Sequence, residues 1–242
     1  MNEWLRGALS GSDASDEDFV GYVLGRGLPH RYMEDMGVCQ WVPPSDSAPD
    51  ETFRYRHGAY GERRKGWLAY PIYAPRGHVV GITFRRWEGE KEIRDHRLPE
   101  TKWIPTFGGL TPRTLERIWA GADVWLVEGL FDMAIGHVIP ERDVVLECGT
   151  ARLSNLQIKF LRRYLTPRST VHVAYDEDET GRKQVEGYKH PETGRWVPGV
   201  LDRLRRVGCN ARDVRYRGAK DPGEIWEDGG ARLLRHRIIE GR

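Results

Sequence analysis

The chain has few cysteines and no long apolar run, and both absences limit what it can be. Its 242 residues include three cysteines, Cys39, Cys148 and Cys209, which form no CxxC pair and no CxxC…H spacing. A disulfide framework and a structural zinc site are therefore not expected. No segment approaches the length of a membrane span, and residues 1–10 lack the layout of a signal peptide. We expect a cytoplasmic protein with no membrane segment.

The small net charge conceals a segregation of charge along the chain. Charged residues make up 31% of the sequence, yet the formal net charge is +2. Residues 12–18 are acidic, whereas basic residues gather in the portion that follows, at Arg54, Arg56, Arg63, Arg64, Lys65, Arg85 and Arg86. A basic surface beside acidic metal ligands suits an enzyme that acts on a polyanion, because Lys and Arg bind phosphates. A solvated charged face is the alternative interpretation.

Two acidic turns each follow a short apolar run. Residues 124–127 lead into Glu128-Gly129 and then Asp132, and residues 171–175 lead into Asp176-Glu177-Asp178. In parallel α/β sheets, ligands bind at the carboxyl ends of the strands. Carboxylates gathered at this edge suit Mg²⁺, a hard cation that prefers oxygen ligands. The pattern predicts an enzyme of phosphoryl transfer.

The first part of the chain has the pattern of helices followed by a hairpin. Residues 19–36 show helical spacing on both sides of a Gly-Leu-Pro turn, which predicts a helix–turn–helix arrangement. Residues 67–73 and 78–84 alternate in polarity around a Gly-containing turn, which predicts a β-hairpin. The charge-dense residues 87–103 are expected to form a mobile, solvent-facing segment.

From residue 115 the pattern changes to alternating strands and helices. The predicted strands are 123–127, 143–147, 171–175 and 212–216, and the predicted helices lie near 130–138, 155–165 and 199–207. Ser154 is the expected N-cap of the second helix, and residues 187–198 are expected to be an inserted hairpin. We predict an α/β protein in which an N-terminal mixed α+β basic subdomain (1–112) precedes a Rossmann-like parallel sheet with a C-terminal helical segment (113–242).

The acidic motifs resemble those of the TOPRIM domain, which bacterial primases, type IA and II topoisomerases and several nucleases share. The ordered set is Glu128 after one strand, Asp176 and Asp178 after another, and Lys220-Asp221-Pro222 further along. The upstream part resembles DnaG-type primases in its helical start at 22–28, its hairpin at 71–85, and Lys102-Trp103. The chain is thus similar to a compact DnaG-type primase catalytic core of the kind that phages carry, which would place it in a host cytoplasm.

This resemblance implies a DNA-directed RNA polymerase that makes short RNA primers by nucleotidyl transfer. The implied partners are a single-stranded DNA template and ribonucleoside triphosphates, and a replicative helicase is a further candidate. Glu128, Asp176 and Asp178 are the implied catalytic residues; together with Asp221 they would bind Mg²⁺ or Mn²⁺, as two or more ions. The residues expected to bind nucleotide or template are Arg85, Arg86, Lys102 and Arg113.

The chain departs from the DnaG pattern in several places. Its cysteines could not build the zinc ribbon of the family, and no C-terminal helicase-binding domain is expected. The third acidic motif, Asp-Pro-Asp in the family, reads Asp221-Pro222-Gly223-Glu224, so that Glu224 would have to replace the second aspartate. Arg113 would replace a family lysine on charge alone.

Alternative interpretations remain for individual residues and for the protein. Asp221 before a proline is also a favourable helix N-cap, and Asp132 suits the first turn of a helix. Arg85 could be a surface charge at a strand end. A TOPRIM-type metal-dependent nuclease would use the same carboxylates with water as the nucleophile. A non-catalytic nucleic-acid adaptor is the third possibility, which the complete Glu128, Asp176 and Asp178 set disfavours.

Overall fold

The structure is a computed structural model, and it describes residues 17–29, 32–33, 36, 38–40, 67–75, 78–86, 93–97, 103–149 and 152–240. Lys102, the basic positions 54–65 and most of the acidic run at 12–18 lie outside the described residues. Among the described helices, none is long and apolar enough to cross a membrane.

The N-terminal part forms an antiparallel sheet. Helix α1 (Glu17–Gly25) precedes four strands in the spatial order β1 (Cys39–Gln40), β2 (Trp67–Tyr73), β3 (Val79–Arg86) and β4 (Ile93–Arg97). The β2–β3 pair is the predicted hairpin. The prediction of a mobile segment at 87–103 is wrong for β4, which pairs with β3. Its sequence, Ile-Arg-Asp-His-Arg, lacks apolar alternation because it is an edge strand, and charged residues are usual at sheet edges.

The C-terminal part forms the predicted parallel sheet. In chain order its elements are α2 (Pro112–Trp119), β5 (Val124–Val127), a 3-10 helix (Leu130–His137), β6 (Val144–Glu147), α3 (Asn155–Tyr164), β7 (Thr170–Val173), α4 (Glu179–Glu186), β8 (Gly187–Lys189), β9 (Trp196–Pro198), α5 (Val200–Arg206), β10 (Asn210–Asp213), α6 (Pro222–Arg235) and a π-helical turn (His236–Glu240). The strand order is β10-β7-β5-β6, all parallel.

Most of the local predictions for this part are confirmed. Strands β8 and β9 form the expected inserted hairpin. Ser154 caps α3 by accepting the Gln157 N–H at 3.1 Å, and the Gln157 side chain accepts the Ser154 N–H in return at 2.8 Å. The strand predicted at 212–216 instead spans Asn210–Asp213. Val214 and Tyr216 are buried although they follow the strand, so the apolar pattern extends beyond the end of the strand.

Alternate residues of the parallel strands face two separate cores. In β5, Val124 and Leu126 join one core with apolar residues of α2, α3, α4 and α5. Trp125 and Val127 join the other core with the 3-10 helix, α6, α1 and β2. This is the arrangement that the period of a strand dictates. The second core therefore belongs to both sheets, since Leu68 and Tyr70 of β2 lie in it.

The two sheets also meet at the carboxyl end of β6. In the segment that leads into α2, Phe107 forms an isolated β-bridge with Tyr73 of β2, and Gly108 forms one with Glu147 of β6. The Tyr70 hydroxyl of β2 donates a hydrogen bond of 2.7 Å to Oε1 of Glu147, which is 6% exposed. These contacts bring the antiparallel sheet to the edge at which the strands of the parallel sheet end.

This junction predicts a stability effect at Tyr70. Tyr70→Phe should lower the free energy of unfolding by about 1–3 kcal/mol, because it removes a donor from a buried carboxyl group. Denaturant unfolding measures the change, with Tyr188→Phe in the β8–β9 hairpin as the matched control. A Tyr70→Phe variant as stable as that control would contradict the proposed importance of the junction.

Candidate active site

Two of the predicted carboxylates meet where neighbouring strands end. Glu128 directly follows β5, and Asp176 follows β7, its partner strand. The backbone N–H of Asp176 donates to Oε1 of Glu128 at 3.2 Å. Gly181 permits this approach, since a Cβ there would lie 2.2 Å from the carbonyl oxygen of Asp176 and 3.0 Å from Oε1 of Glu128. The parallel pairing of β5 with β7 thus brings Glu128 and Asp176, which are distant in sequence, into one pocket.

A group of three aspartates forms the centre of this pocket. Asp132, Asp176 and Asp221 each place one carboxylate oxygen within 4.8 Å of the others. All three are partly exposed, so that solutes can reach them. Asp132 comes from the 3-10 helix, and Asp221 comes from the start of α6.

Both interpretations that the sequence left open for Asp132 and Asp221 fit the geometry. Asp132 accepts the Gly129 N–H at 2.7 Å and so occupies a helix start. Asp221 caps α6 by accepting the Glu224 N–H at 2.8 Å through Oδ1. Each is nevertheless within the group of three. The capping bonds therefore fix the positions of these two side chains within the group.

The other predicted ligands lie beside the group. Glu128 contacts Asp176 as described, and Asp178 caps α4 by accepting the Gly181 N–H at 2.8 Å. The Asp178 side chain is 44% exposed and forms the rim of the pocket. Glu224, the proposed replacement for a missing aspartate, instead accepts the backbone N–H of Lys220. Its carboxylate therefore stabilises the start of α6.

Sequence reasoning quoted Lys220 as part of a motif but assigned it no role. Its Nζ lies 3.2 Å from Oδ2 of Asp176 and 3.7 Å from Oδ2 of Asp178. These carboxylates raise the pKa of Lys220. Its place in the sequence indicated a position near the pocket, since it immediately precedes Asp221. The ammonium group of Lys220 therefore already neutralises part of the negative charge of the pocket.

Burial and mutual repulsion perturb the acids of the pocket. Burial, followed by the charges of Asp176 and Asp178, raises the pKa of Glu128 to about 7. Burial and the charges of Asp176 and Asp221 raise the pKa of Asp132 well above its usual range. Burial also raises the pKa of Asp176, an effect that Lys220 opposes. A site that favours protons in this way also favours metal cations.

Glu177, between the two predicted aspartates, has a structural role. Its backbone N–H donates to the Lys220 carbonyl at 2.7 Å, and its Oε1 accepts the Tyr216 N–H at 3.3 Å. Arg215 pairs with its Oε2 at 3.3 Å. Glu177 therefore joins the turn after β7 to the loop that leads into Asp221.

The predicted basic residues are dispersed. Arg85 is 8% exposed, and its Cζ lies 4.3 Å from the centre of the Phe131 ring, next to Asp132 in sequence. Burial lowers its pKa, and its Nε has no hydrogen-bond partner among the described residues. Arg86 is exposed at the end of β3. Arg113 lies on α2, which packs on the sheet face opposite the helix of Asp132.

An open groove of about 510 Å³ adjoins the carboxylates. It is lined by Glu177, Asp178 and residues of the loop 215–220. Arg217 in this loop has a φ of +47°, a left-handed conformation that costs free energy for any residue with a Cβ. Its side chain is exposed and pairs with no residue that the structure describes. Strain of this kind is frequent at functional sites.

Comparison with known proteins agrees with this geometry. Residues 125–225 match the Toprim-like family model. No curated protein matches the chain significantly in sequence. The fold of nearly the whole chain is that of the DnaG primase catalytic core, as the resemblance in sequence implied.

Three solved structures illustrate the likeness in fold. The Aquifex aeolicus primase, with zinc-binding and RNA polymerase domains, has a TM-score of 0.67 and 21% identity over 96% of this chain, which spans 59% of that protein. The RNA polymerase domain of Mycobacterium tuberculosis DnaG has a TM-score of 0.67 and 18% identity, covering 98% of this chain and 81% of that one. A DnaG catalytic domain bound to single-stranded DNA has a TM-score of 0.62 and 14% identity, covering 98% and 80%.

The raised pKa of Glu128 predicts how pH changes the stability of the metal-free protein. The folded protein holds this proton up to a pH of about 7, whereas the ordinary value is 4.5. Stability should therefore fall as the pH rises from 4.5 through 7. Glu128→Gln should raise the melting temperature at pH 8 and have little effect at pH 4.5, because the amide oxygen still accepts the Asp176 N–H.

Thermal unfolding with a chelator present measures this effect. Glu179→Gln is the control, because Glu179 is a neighbouring acid whose pKa is lowered by Lys183. It should not raise the melting temperature at pH 8. An equal melting temperature for wild type and Glu128→Gln at pH 8 would show that the fold does not raise the pKa of Glu128.

Proposed function

We propose that the chain is a DNA primase, which synthesises short RNA primers on a single-stranded DNA template from ribonucleoside triphosphates. The observation that carries this proposal is the group Asp132, Asp176 and Asp221, placed at the edge where the antiparallel sheet joins a Toprim-like sheet. The DnaG catalytic domain of this fold that binds single-stranded DNA supports the choice of template. A replicative helicase as partner and a division near residue 112 are further parts of the proposal.

The donors of the pocket fit Mg²⁺ or Mn²⁺. Oxygen ligands are those that these hard cations prefer, and the repulsion among the carboxylates decreases when a cation enters. Asp132, Asp176 and Asp221 would hold an ion, and Glu128 and Asp178 are the candidates for a further one. When bound, divalent ions stabilise the negative charge that develops on the phosphate oxygens. Lys220 would neutralise the remaining charge at the rim.

The basic residues near the pocket would bind the substrate. Primer extension requires the 3′-hydroxyl of the primer to attack the α-phosphate of a nucleotide, with pyrophosphate as the leaving group. Arg85 lies against Phe131 with a donor that no described residue uses, and Arg26 lies 5.1 Å from the same ring. Both guanidinium groups lie against the ring of the residue that precedes Asp132, and Arg26 also pairs with Glu227. Guanidinium groups are suited to phosphate oxygens. Arg86 and Lys102 would also bind nucleotide or template.

A Toprim-type nuclease is the second candidate. The same carboxylates would then activate water for hydrolysis of a phosphodiester bond. The position of Arg85 favours the primase, because β3 brings this side chain from the antiparallel sheet onto the helix that carries Asp132. A small nuclease has no need for such a sheet.

The decisive test uses labelled ribonucleotides, single-stranded DNA and Mg²⁺ or Mn²⁺. The wild type should produce short RNA, and Asp132→Asn and Asp176→Asn should each reduce synthesis by about 100-fold or more, since electrostatic stabilisation of developing charge is lost. Glu179→Gln, which changes an exposed acid close to Asp178, should remain active. Degraded DNA without RNA would instead identify a nuclease. Full synthesis by Asp132→Asn would show that this residue is not a ligand.

Arg217 offers a test in which stability and activity change in different directions. If its exposed side chain contacts substrate phosphates, Arg217→Gly should raise the KM for ribonucleotides. Its free energy of unfolding should be unchanged or higher by up to about 1 kcal/mol, because glycine tolerates a positive φ.

The matched control is Arg212→Gly on β10. Arg212 is equally exposed but in extended backbone, so this variant should lose about 0.5–1 kcal/mol of stability and keep its KM. Steady-state kinetics and denaturant unfolding of both variants measure these changes. An unchanged KM in Arg217→Gly would exclude Arg217 from substrate binding.

A further inference from the structure

The helices on one face of the parallel sheet carry concentrated positive charge. Together, α2, α3, α4 and α5 contain ten Arg or Lys residues and four acids, whereas the whole chain has a net charge of +2. The remainder of the chain is therefore net acidic. Helix α3 contains no acid, and its Lys159, Arg162 and Arg163 are all exposed. A polyanion will be attracted to this face.

Aromatic side chains lie within this basic region. Trp119, the last residue of α2, is 54% exposed. Its ring centroid lies 5.9 Å from that of Tyr164, which in turn lies 4.7 Å from that of buried Phe160. The Cζ of Arg163 lies 5.7 Å from the centre of the Tyr164 ring. The exposed indole of Trp119 thus packs on Tyr164, which packs on buried Phe160, and the Arg163 guanidinium lies near the Tyr164 ring.

This surface is separate from the carboxylate pocket. Helix α3 begins after the carboxyl end of β6 and ends at Tyr164, before β7 begins. Trp119 likewise precedes the start of β5. Both rings therefore lie at the amino edge of the sheet, about 15 Å from the carboxyl edge, as the ten residues of α3 span that distance. Groups at this position do not take part in chemistry at the aspartates.

We infer that Trp119, Tyr164, Lys159 and Arg163, named here the α2–α3 surface, bind single-stranded nucleic acid. The bases stack on the exposed indole, and the phosphates pair with the cations of α3. This combination of a stacking ring and a basic track is how single strands are bound without sequence preference. The surface holds a strand at a second point away from the pocket and so extends the footprint of the protein on its template.

The chemistry favours a single strand over an acidic protein. An acidic peptide would be attracted to Lys159 and Arg163, but its carboxylates would not stack on the exposed indole of Trp119. In a duplex, the bases are stacked on one another and offer no free face to Trp119. The inference concerns binding alone, so it can hold or fail independently of primer synthesis.

Fluorescence anisotropy of labelled oligodeoxythymidines tests the α2–α3 surface. One oligonucleotide should be long enough to span both edges of the sheet, about 30 nucleotides, and one should be about 8. Trp119→Ala and Arg163→Ala should each weaken binding of the long strand, Trp119→Ala by about 5- to 100-fold. Trp119→Phe should restore much of the affinity because it keeps a ring. The salt dependence should become shallower in Arg163→Ala, as one phosphate contact is lost.

The β8–β9 hairpin supplies matched controls. Trp196 is 53% exposed and lies opposite Lys189, so Trp196→Ala and Lys189→Ala remove a similar ring and a similar charge elsewhere. Both controls should bind the long strand as the wild type does. Wild-type affinity in Trp119→Ala, or an equal loss in Trp196→Ala, would overturn the inference. Binding of a polyglutamate peptide that depends on Arg163, with DNA binding unaffected by Trp119, would assign the surface to a protein partner instead.

Primer synthesis by the same variants separates this inference from the proposed function. A wild-type protein that makes no primers but loses DNA binding in Trp119→Ala would leave the surface supported and the primase proposal refuted. If the wild type makes primers and Trp119→Ala binds DNA normally, the primase proposal is supported and the inference about the α2–α3 surface is refuted.

Discussion

Repulsion among carboxylates at one edge of the parallel sheet is the constraint on which the rest of the structure depends. Asp132, Asp176 and Asp221 lie within 4.8 Å of one another through their carboxylate oxygens, an arrangement that charge opposes. Hydrogen bonds from Gly129 and Glu224 fix two of them, and Lys220 pairs with the third. The fold uses packing and capping to hold together groups that would otherwise separate. This local conflict with stability is typical of functional sites.

The site depends on both sheets because they share a core. Trp125 and Val127 of the parallel sheet pack in the same cluster as Leu68 and Tyr70 of the antiparallel sheet. That packing brings β3 close enough for Arg85 to cover Phe131. A basic side chain from one sheet is thereby fixed beside an acidic pocket of the other. Apolar burial thus brings opposite charges close together.

Sequence patterns predicted the elements better than they predicted the site. The β2–β3 hairpin, the strands β5, β6 and β7 and the Ser154 cap were predictable because alternation and capping are local properties. The inclusion of Asp132 in the group and the rim position of Asp178 were not, because contacts between separate segments determine them. Asp178, a predicted ligand, caps α4 through Oδ1 and lies at the rim of the pocket, outside the group of three.

The features whose surroundings the sequence did not reveal share a physical cause. Arg85 in a strand end suggests an exposed charge, yet Phe131, distant in sequence, covers it. The edge strand β4 has no apolar alternation to detect. The position of Lys220 depends on the turn at Glu177, whose backbone N–H donates to the Lys220 carbonyl. Contacts between distant segments decide each of these cases, and no local pattern reports them.

The core shared by the two sheets has a consequence for how the chain can change during evolution. A boundary near residue 112 divides the chain by pattern, but the cluster that contains Val23, Leu68, Val127 and Ile225 draws on both sides of it. Interiors of this kind are close-packed, so a change of volume at one position is felt at its neighbours. Substitutions in the two halves are therefore expected to occur in compensating pairs. Recombination that exchanges one half for that of a distant relative would separate such pairs.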